Sequence, residues 1–282
     1  MIVFLNGSFV PEERAMVSVF DRSFLYGDGL FETMLIANGI PFRWSQHLER
    51  IERGAALLGI TLPFQAARLW EFASKLVLDN QMPNALLRLT LSRGVGLRGY
   101  SPRGADSPAM VMSLHPAPVL SDALTSWKLA TASVRLPANE PLAQLKHANK
   151  LPQILARAQA EQAGADEALL VNTDGFLVEG ASSNLFWIEQ GTVSTPPLSS
   201  GILAGVTRLV VFELCQKLGV RFQERNITPP QLVRTEGVFV SLSSYGLAQG
   251  VSLDGHNLRR SDVTLPLHRA YVELVQRETA SA

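Results

Sequence analysis

Lys146 lies in the stretch Pro141-Leu-Ala-Gln-Leu-Lys146-His-Ala-Asn149-Lys150-Leu-Pro152, between apolar Leu142 and Leu145 and the start of a helical pattern. Asn149 offers an N-cap, Pro152 falls in the first turn, and Ile154, Leu155 and Ala158 supply an apolar face. An amine among apolar groups is partly desolvated, which disfavours its charged form. The neutral amine is the species that forms a Schiff base with a carbonyl compound.

Four other places carry groups that suit such chemistry. Glu179 closes the apolar segment Leu177-Val178, where a carboxylate needs a partner; a protonated pyridine nitrogen or an arginine would serve. Arg50, in His47-Leu-Glu-Arg50-Ile51, lies off the apolar stripe of its helix and reads as a solvated side chain or as a phosphate clamp. Gly201-Ile-Leu-Ala-Gly205-Val206-Thr207-Arg208 is a glycine-flanked turn entering a helix, where unpaired N–H groups and the helix dipole favour phosphate. Ser241-Leu-Ser243-Ser244 follows an apolar strand and offers hydroxyl donors.

Gly94-Val-Gly96-Leu-Arg98-Gly99 matches a dinucleotide-binding glycine pattern, but Tyr100-Ser-Pro-Arg-Gly104 follows it where a helix is required. It reads instead as a loop presenting Arg98 and Tyr100. The five histidines show no metal-ligand spacing, so no metal site is expected. No G-x-S-x-G elbow or P-loop occurs.

The elements that must hold these groups follow from periodicity and turn signals. Strands are expected at 2–5, 9–10 and 17–19, and again at 30–36 after the loop Gly27-Asp28-Gly29. Ser45 is expected to cap a helix through Leu48, Ile51, Ala55 and Leu58, and a second helix to cover 64–80. Strands at 85–91 and 109–114 complete a first α/β part, over 1–115. His115-Pro-Ala-Pro118 reads as an extended linker, placed at 116–121. Within 122–282, strands are expected at 127–134, 167–172, 176–179, 184–189 and 237–241, with helices at 152–163, 205–218 and 265–279.

Composition bounds the class. Equal numbers of basic and acidic residues, 25 of each in 282, leave no basic excess for nucleic acid or acidic membrane. The lone cysteine, Cys215, excludes an intrachain disulfide and reads as helix core. The N-terminal apolar run is too short for a signal peptide, and no run approaches a membrane span, so a cytoplasmic protein is expected.

Five blocks in order resemble the fold-type IV pyridoxal-phosphate enzymes, the class IV aminotransferase family. They are Tyr26-Gly-Asp-Gly-Leu-Phe-Glu-Thr33, His47-Leu-Glu-Arg50, Leu145-Lys146-His-Ala-Asn149, Glu179-Gly-Ala-Ser-Ser-Asn184, and Gly205-Val-Thr207-Arg208. The resemblance implies an α+β fold with a small N-terminal α/β domain and a larger C-terminal mixed β domain with helices that binds pyridoxal 5'-phosphate. It implies Lys146 as the Schiff-base lysine and Glu179 on the pyridine nitrogen. Arg50, the Val206-Thr207 backbone, and Ser243 or Ser244 are implied around the phosphate, with the cofactor between the domains of a homodimer.

Within the family, Arg98-Gly-Tyr100-Ser101 and the Lys146 block are similar to those of 4-amino-4-deoxychorismate lyase. Thr33 stands where branched-chain aminotransferases usually carry glycine. Leu242 and Tyr245 depart from the Asn and Arg of many lyases. The lyase likeness implies release of p-aminobenzoate and pyruvate, a step of folate biosynthesis, with Lys146 as base, Lys146 or Thr33 as proton donor, and Arg98 and Tyr100 on a substrate carboxylate. The alternative is an aminotransferase acting on D-amino acids, branched-chain amino acids or amines.

Overall fold

The structure, a computed structural model, describes residues 1–280 and divides into two compact units. The first comprises Met1–Pro118, Leu145–Asn149 and the chain from Val275 onward. The second comprises Val119–Gln144 and Lys150–Leu274. The fold is α+β.

The first unit is built on β1 (Ile2–Leu5), β2 (Ser8–Pro11), α1 (Arg22–Tyr26), β3 (Gly29–Ala37), β4 (Ile40–Pro41), α2 (Trp44–Leu58), α3 (Ala66–Asn80), β5 (Ala85–Ser92) and β6 (Ala109–Pro116). Its six strands run in the order β2-β1-β6-β5-β3-β4, and neighbours are antiparallel throughout. Alternation sorts the two faces. Leu87, Leu89 and Leu91 of β5 join Leu30 and Met34 of β3 in a core with Leu48 and Ile51 of α2 and Leu69, Phe72 and Leu76 of α3. Full burial of each such side chain is worth about 1.5–3 kcal/mol. Phe31, Thr33, Arg88 and Thr90 alternate with them and lie half-buried on the other face.

Three local expectations are corrected here. No strand forms at 17–19; instead Asp21 caps α1, its carboxylate accepting from Ser23 N at 2.8 Å, because a short polar side chain ahead of Arg22 satisfies the first-turn donors. Ser45 lies inside α2, which starts at Trp44 after Arg43 in a left-handed conformation. Asn149 does not cap a helix: its Nδ2 donates to Gly27 O at 3.1 Å, and α4 (Leu151–Gln162) starts beyond Lys150 without a side-chain cap. The same contact explains Gly27, at φ 67°, since an added Cβ would lie 2.4 Å from Asn149 Oδ1.

The second unit holds β7 (Thr125–Leu136), α4, β8 (Glu167–Asn172), β9 (Leu177–Gly180), β10 (Asn184–Glu189), β11 (Thr192–Thr195), α5 (Val206–Lys217), β12 (Phe222–Glu224), α6 (Pro229–Leu232), β13 (Gly237–Leu242), β14 (Gly246–Leu253) and β15 (His256–Asn257). β9 pairs with β8 on one side and β10 on the other, so β10, β13, β14, β7, β8 and β9 close into a ring. Its inner residues include Leu129, Leu169, Leu177, Leu185, Trp187, Val238 and Val240. Small residues Ala156 and Ala160 let α4 lie close against Ala168 and Leu170. A last helix, α7 (Thr264–Glu278), ends the described chain, and Cys215 is helix core as expected, its thiol pushed up to about 12 by burial.

Candidate active site

The Lys146 segment leaves its sequence neighbours and packs with the first unit. Phe31 N donates to Lys146 O at 2.9 Å, Ala148 N donates to Gly29 O at 2.9 Å, and Leu30 bridges to His147. Residues 146–148 thus extend the edge of β3 that β4, paired only at Ile36 and Ala37, leaves open. Lys146 Nζ sits 4.7 Å from the centroid of the Phe31 ring, an electrostatically favourable place for a cation. Thr33, two residues along β3, points to the same face as Phe31. Arg88, opposite Thr33 in register, holds its guanidinium carbon 4.1 Å from that ring. Arg88 was missed from the sequence, although its place beside Thr90 on the polar face of an alternating strand marks it.

Arg50 is not a solvated helix residue. It is buried because Glu32, fully buried on the core face of β3, points into α2. Arg50 Nε donates to Glu32 Oε1 and Nη2 to Oε2, both at 2.7 Å, and His47 Nδ1 meets Oε2 at 2.7 Å. Burial pushes the Glu32 pKa up, but the Arg50 charge and the hydrogen bonds from Arg50 and His47 outweigh it, leaving the carboxyl at about 2. Burial lowers the His47 pKa; its bond and attraction to Glu32 oppose this, while the charges of Arg50 and Lys146 add to it. A neutral His47 therefore donates its Nδ1 proton to Glu32, which fixes the tautomer. The Arg50 fork is thereby held in one orientation.

In the second unit a β-bulge decides where Glu179 points. Leu169 pairs with Gly180 and Val171 with Leu177, so Val178 and Glu179 together face Leu170. Strict alternation would send Glu179 inside the ring with Leu177; the extra residue turns it outward. There it stands in register with Asn184, which pairs in turn with Ser241, giving a row of three polar side chains across β9, β10 and β13. Leu203 spans two of them, its N–H donating to Glu179 Oε2 at 2.9 Å and its carbonyl accepting from Asn184 Nδ2 at 2.9 Å. The chain then enters α5 through Gly205, which makes no side-chain cap, and a Cβ there would lie 1.9 Å from Asn184 Oδ1. Val206 and Thr207 form the first turn, and both are buried. Ser243 and Ser244 lie in the turn between β13 and β14, half-buried.

These residues fit a phosphorylated pyridine aldehyde. The start of α5 has no side chain occupying its N–H groups, and the Ser241 hydroxyl, 2% exposed, has no hydrogen-bond partner on the face that bears Asn184. A buried donor without a partner costs about 1–3 kcal/mol, which a bound anion would relieve. Glu179 is a carboxylate fixed by a backbone donor, and Lys146 is an amine over an aromatic face. Arg98 and Tyr100 stand exposed on the loop after β5, with no helix between Gly94 and Pro108. Among the described residues no group of three or more His, Cys, Asp or Glu could hold a metal ion.

Taken unit by unit, these are groups that an enzyme working through pyridoxal phosphate uses. The chain belongs to the amino-transferase class IV family, whose profile matches residues 29–253. A putative branched-chain-amino-acid aminotransferase of Methanocaldococcus jannaschii is 34% identical over 263 residues, 93% of this chain and 91% of that protein. An aminodeoxychorismate lyase of Vibrio harveyi is 33% identical over 231 residues, 81% of this chain and 84% of that protein. Among solved structures, the branched-chain amino acid aminotransferase of Escherichia coli superposes with a TM-score of 0.91 at 25% identity, covering 99% of this chain and 96% of its own.

Proposed function

We propose that this chain is a 4-amino-4-deoxychorismate lyase that releases p-aminobenzoate and pyruvate. The observation that carries the reading is that Thr33 lies on the sheet face where Lys146 Nζ rests over Phe31, so a hydroxyl accompanies the amine. A leaving group that must take up a proton needs such a donor, and simple amino transfer does not. The exposed pair Arg98 and Tyr100 supports it too, since a dianionic substrate needs a cation with fork geometry.

In this reading Lys146 would hold pyridoxal phosphate through its amine, Glu179 would keep a proton on the pyridine nitrogen, and Arg50, Val206, Thr207, Ser243 and Ser244 would serve the phosphate. When bound, the cofactor supplies an electron-withdrawing ring that accepts the electron pair left by a departing proton. The Lys146 amine would remove the proton from the carbon that bears the substrate amine. The enolpyruvyl C–O bond then breaks as the substrate's own ring becomes aromatic, and Thr33 or Lys146 would supply the proton that makes the leaving group pyruvate. Arg98 holds a substrate carboxylate, with Tyr100 beside it.

A second reading, an aminotransferase, is favoured by Tyr245, whose ring packs on Trp127 at 5.3 Å between centroids where many lyases place an arginine. The chemistry is shared up to proton removal and differs in where the proton returns. Pyruvate release from aminodeoxychorismate, measured beside amino transfer from D-alanine and from branched-chain amino acids, separates the two. Pyruvate and p-aminobenzoate in equal amounts are expected. Robust transamination without pyruvate would replace the lyase with the aminotransferase.

A further inference from the structure

The loop after β5 is gripped from α1 by a buried arginine. Arg22 is 3% exposed and uses every guanidinium nitrogen. Its Nε donates to Asp28 Oδ2 at 2.7 Å, Nη1 to Gly99 O at 2.9 Å and Ser101 O at 3.1 Å, and Nη2 to Tyr100 O at 3.1 Å. Gly99 N donates to the Tyr26 hydroxyl at 3.1 Å, and the Tyr26 and Tyr100 rings meet edge to face at 5.6 Å. Asp28 is anchored in turn by Arg93, whose Nε and Nη2 donate to it at 2.8 and 3.0 Å while its nitrogens also bond Leu58 O and Gly59 O at the end of α2.

The side chains on this loop are treated differently from its backbone. Arg98 is exposed and Tyr100 is 87% exposed, although three successive carbonyls around them are fixed. A loop kept only for packing would bury its large side chains. Here the backbone is ordered in advance and the side chains are presented, which lowers the ordering cost of binding a ligand. Close packing confirms the grip: a Cβ on Gly96 would lie 2.9 Å from Arg22 Cδ and 3.0 Å from Ala105 Cβ.

We propose that Arg22 is a positioning residue for substrate recognition, holding the Gly99, Tyr100 and Ser101 carbonyls so that Arg98 and Tyr100 meet a carboxylate-bearing substrate. This rests on the reading above that Arg98 and Tyr100 contact the substrate. Lysine at position 22 keeps the charge beside Asp28 but cannot reach three carbonyls at once. Gly96→Ala disturbs the same grip without removing any polar group.

Both variants, with Arg98→Ala as a separate arm, are prepared as holoenzymes. The KM for aminodeoxychorismate is measured, or for 2-oxoglutarate if the two-substrate assay shows transamination. Hydrogen exchange is followed over residues 97–104. Arg22→Lys is expected to raise KM about tenfold and change kcat less than about threefold, with cofactor absorbance intact. Exchange over 97–104 rises while α2 and β3 keep their protection. Gly96→Ala moves both readouts the same way, less far, and reports alone if Arg22→Lys does not fold. An unaltered KM or unaltered exchange overturns the proposal. Arg98→Ala distinguishes the two failures. If it leaves KM unchanged, the recognition reading falls and this inference with it. If it raises KM while the Arg22 and Gly96 variants do not, the positioning role alone is wrong.

Discussion

Removing the amine of Lys146 should remove the chemistry and leave the protein. Its Nζ lies over the Phe31 ring, in a segment held to β3 by backbone bonds that do not depend on the side chain. Lys146→Ala should be colourless after purification in the presence of pyridoxal phosphate and lose roughly a hundredfold or more in turnover. Its thermal midpoint should stay near that of the parent; a grossly unfolded variant would contradict the assignment. Glu32 behaves in the opposite way, because it is buried with two partners. Its carboxyl sits at about 2 against the ordinary 4.5, so its contribution is present above the unfolded value and lost as pH falls through the folded one. A shift of that size is worth roughly 3 kcal/mol. His47 also loses affinity for protons on folding, so the unfolded chain protonates first and stability starts to decline below about pH 6.5. Urea titrations from pH 8 to 3 should show a shallow loss below pH ~6.5 and a steeper one below ~4.5, and His47→Gln should flatten only the first. A pH-independent profile would mean that Arg50 is not held as described.

At the scale of elements, the start of α5 depends on a glycine for space rather than for backbone freedom. Gly205 has φ −67°, open to any residue, yet a Cβ would fall on Asn184 Oδ1. Asn184 cannot easily yield, since its Nδ2 is bonded to Leu203 O. Gly205→Ala should therefore cost about 1–3 kcal/mol by overpacking. It should also weaken pyridoxal phosphate binding at least several-fold, read by absorbance titration. Adding Asn184→Ala should recover much of the stability. If Gly205→Ala binds the cofactor as well as the parent does, the turn is not its phosphate site.

For the molecule as a whole, the expectation is a homodimer, and the surface before and within α1 supports it. Met16, Val19, Phe20 and Phe24 are 81%, 63%, 63% and 73% exposed within one short stretch, an apolar density that a lone soluble chain rarely shows. Sedimentation equilibrium of the holoenzyme should give twice the mass of the chain, and a single-chain mass at micromolar concentration would rule the dimer out. Among the described residues no helix is long and apolar enough to cross a membrane.

The sequence alone determined the strand alternation of β5, the helical stripe of α2 and the burial of Cys215, because each is written in a local period. It also marked Lys146, Glu179 and the Gly205 turn, whose neighbours in the chain create their setting. Tertiary structure decided what depends on residues far away in sequence. From its own helix Arg50 reads as a solvated side chain or a phosphate clamp, and only Glu32 of β3 shows it buried; Asn149 reads as a cap until Gly27 offers a carbonyl. Glu179 would point into the ring by simple alternation; the pairing of β9 with β8, which leaves two residues opposite one, turns it beside Asn184 and Ser241. Strand register is fixed between chains of residues rather than along one, so no local pattern could have shown on which face that carboxylate lies.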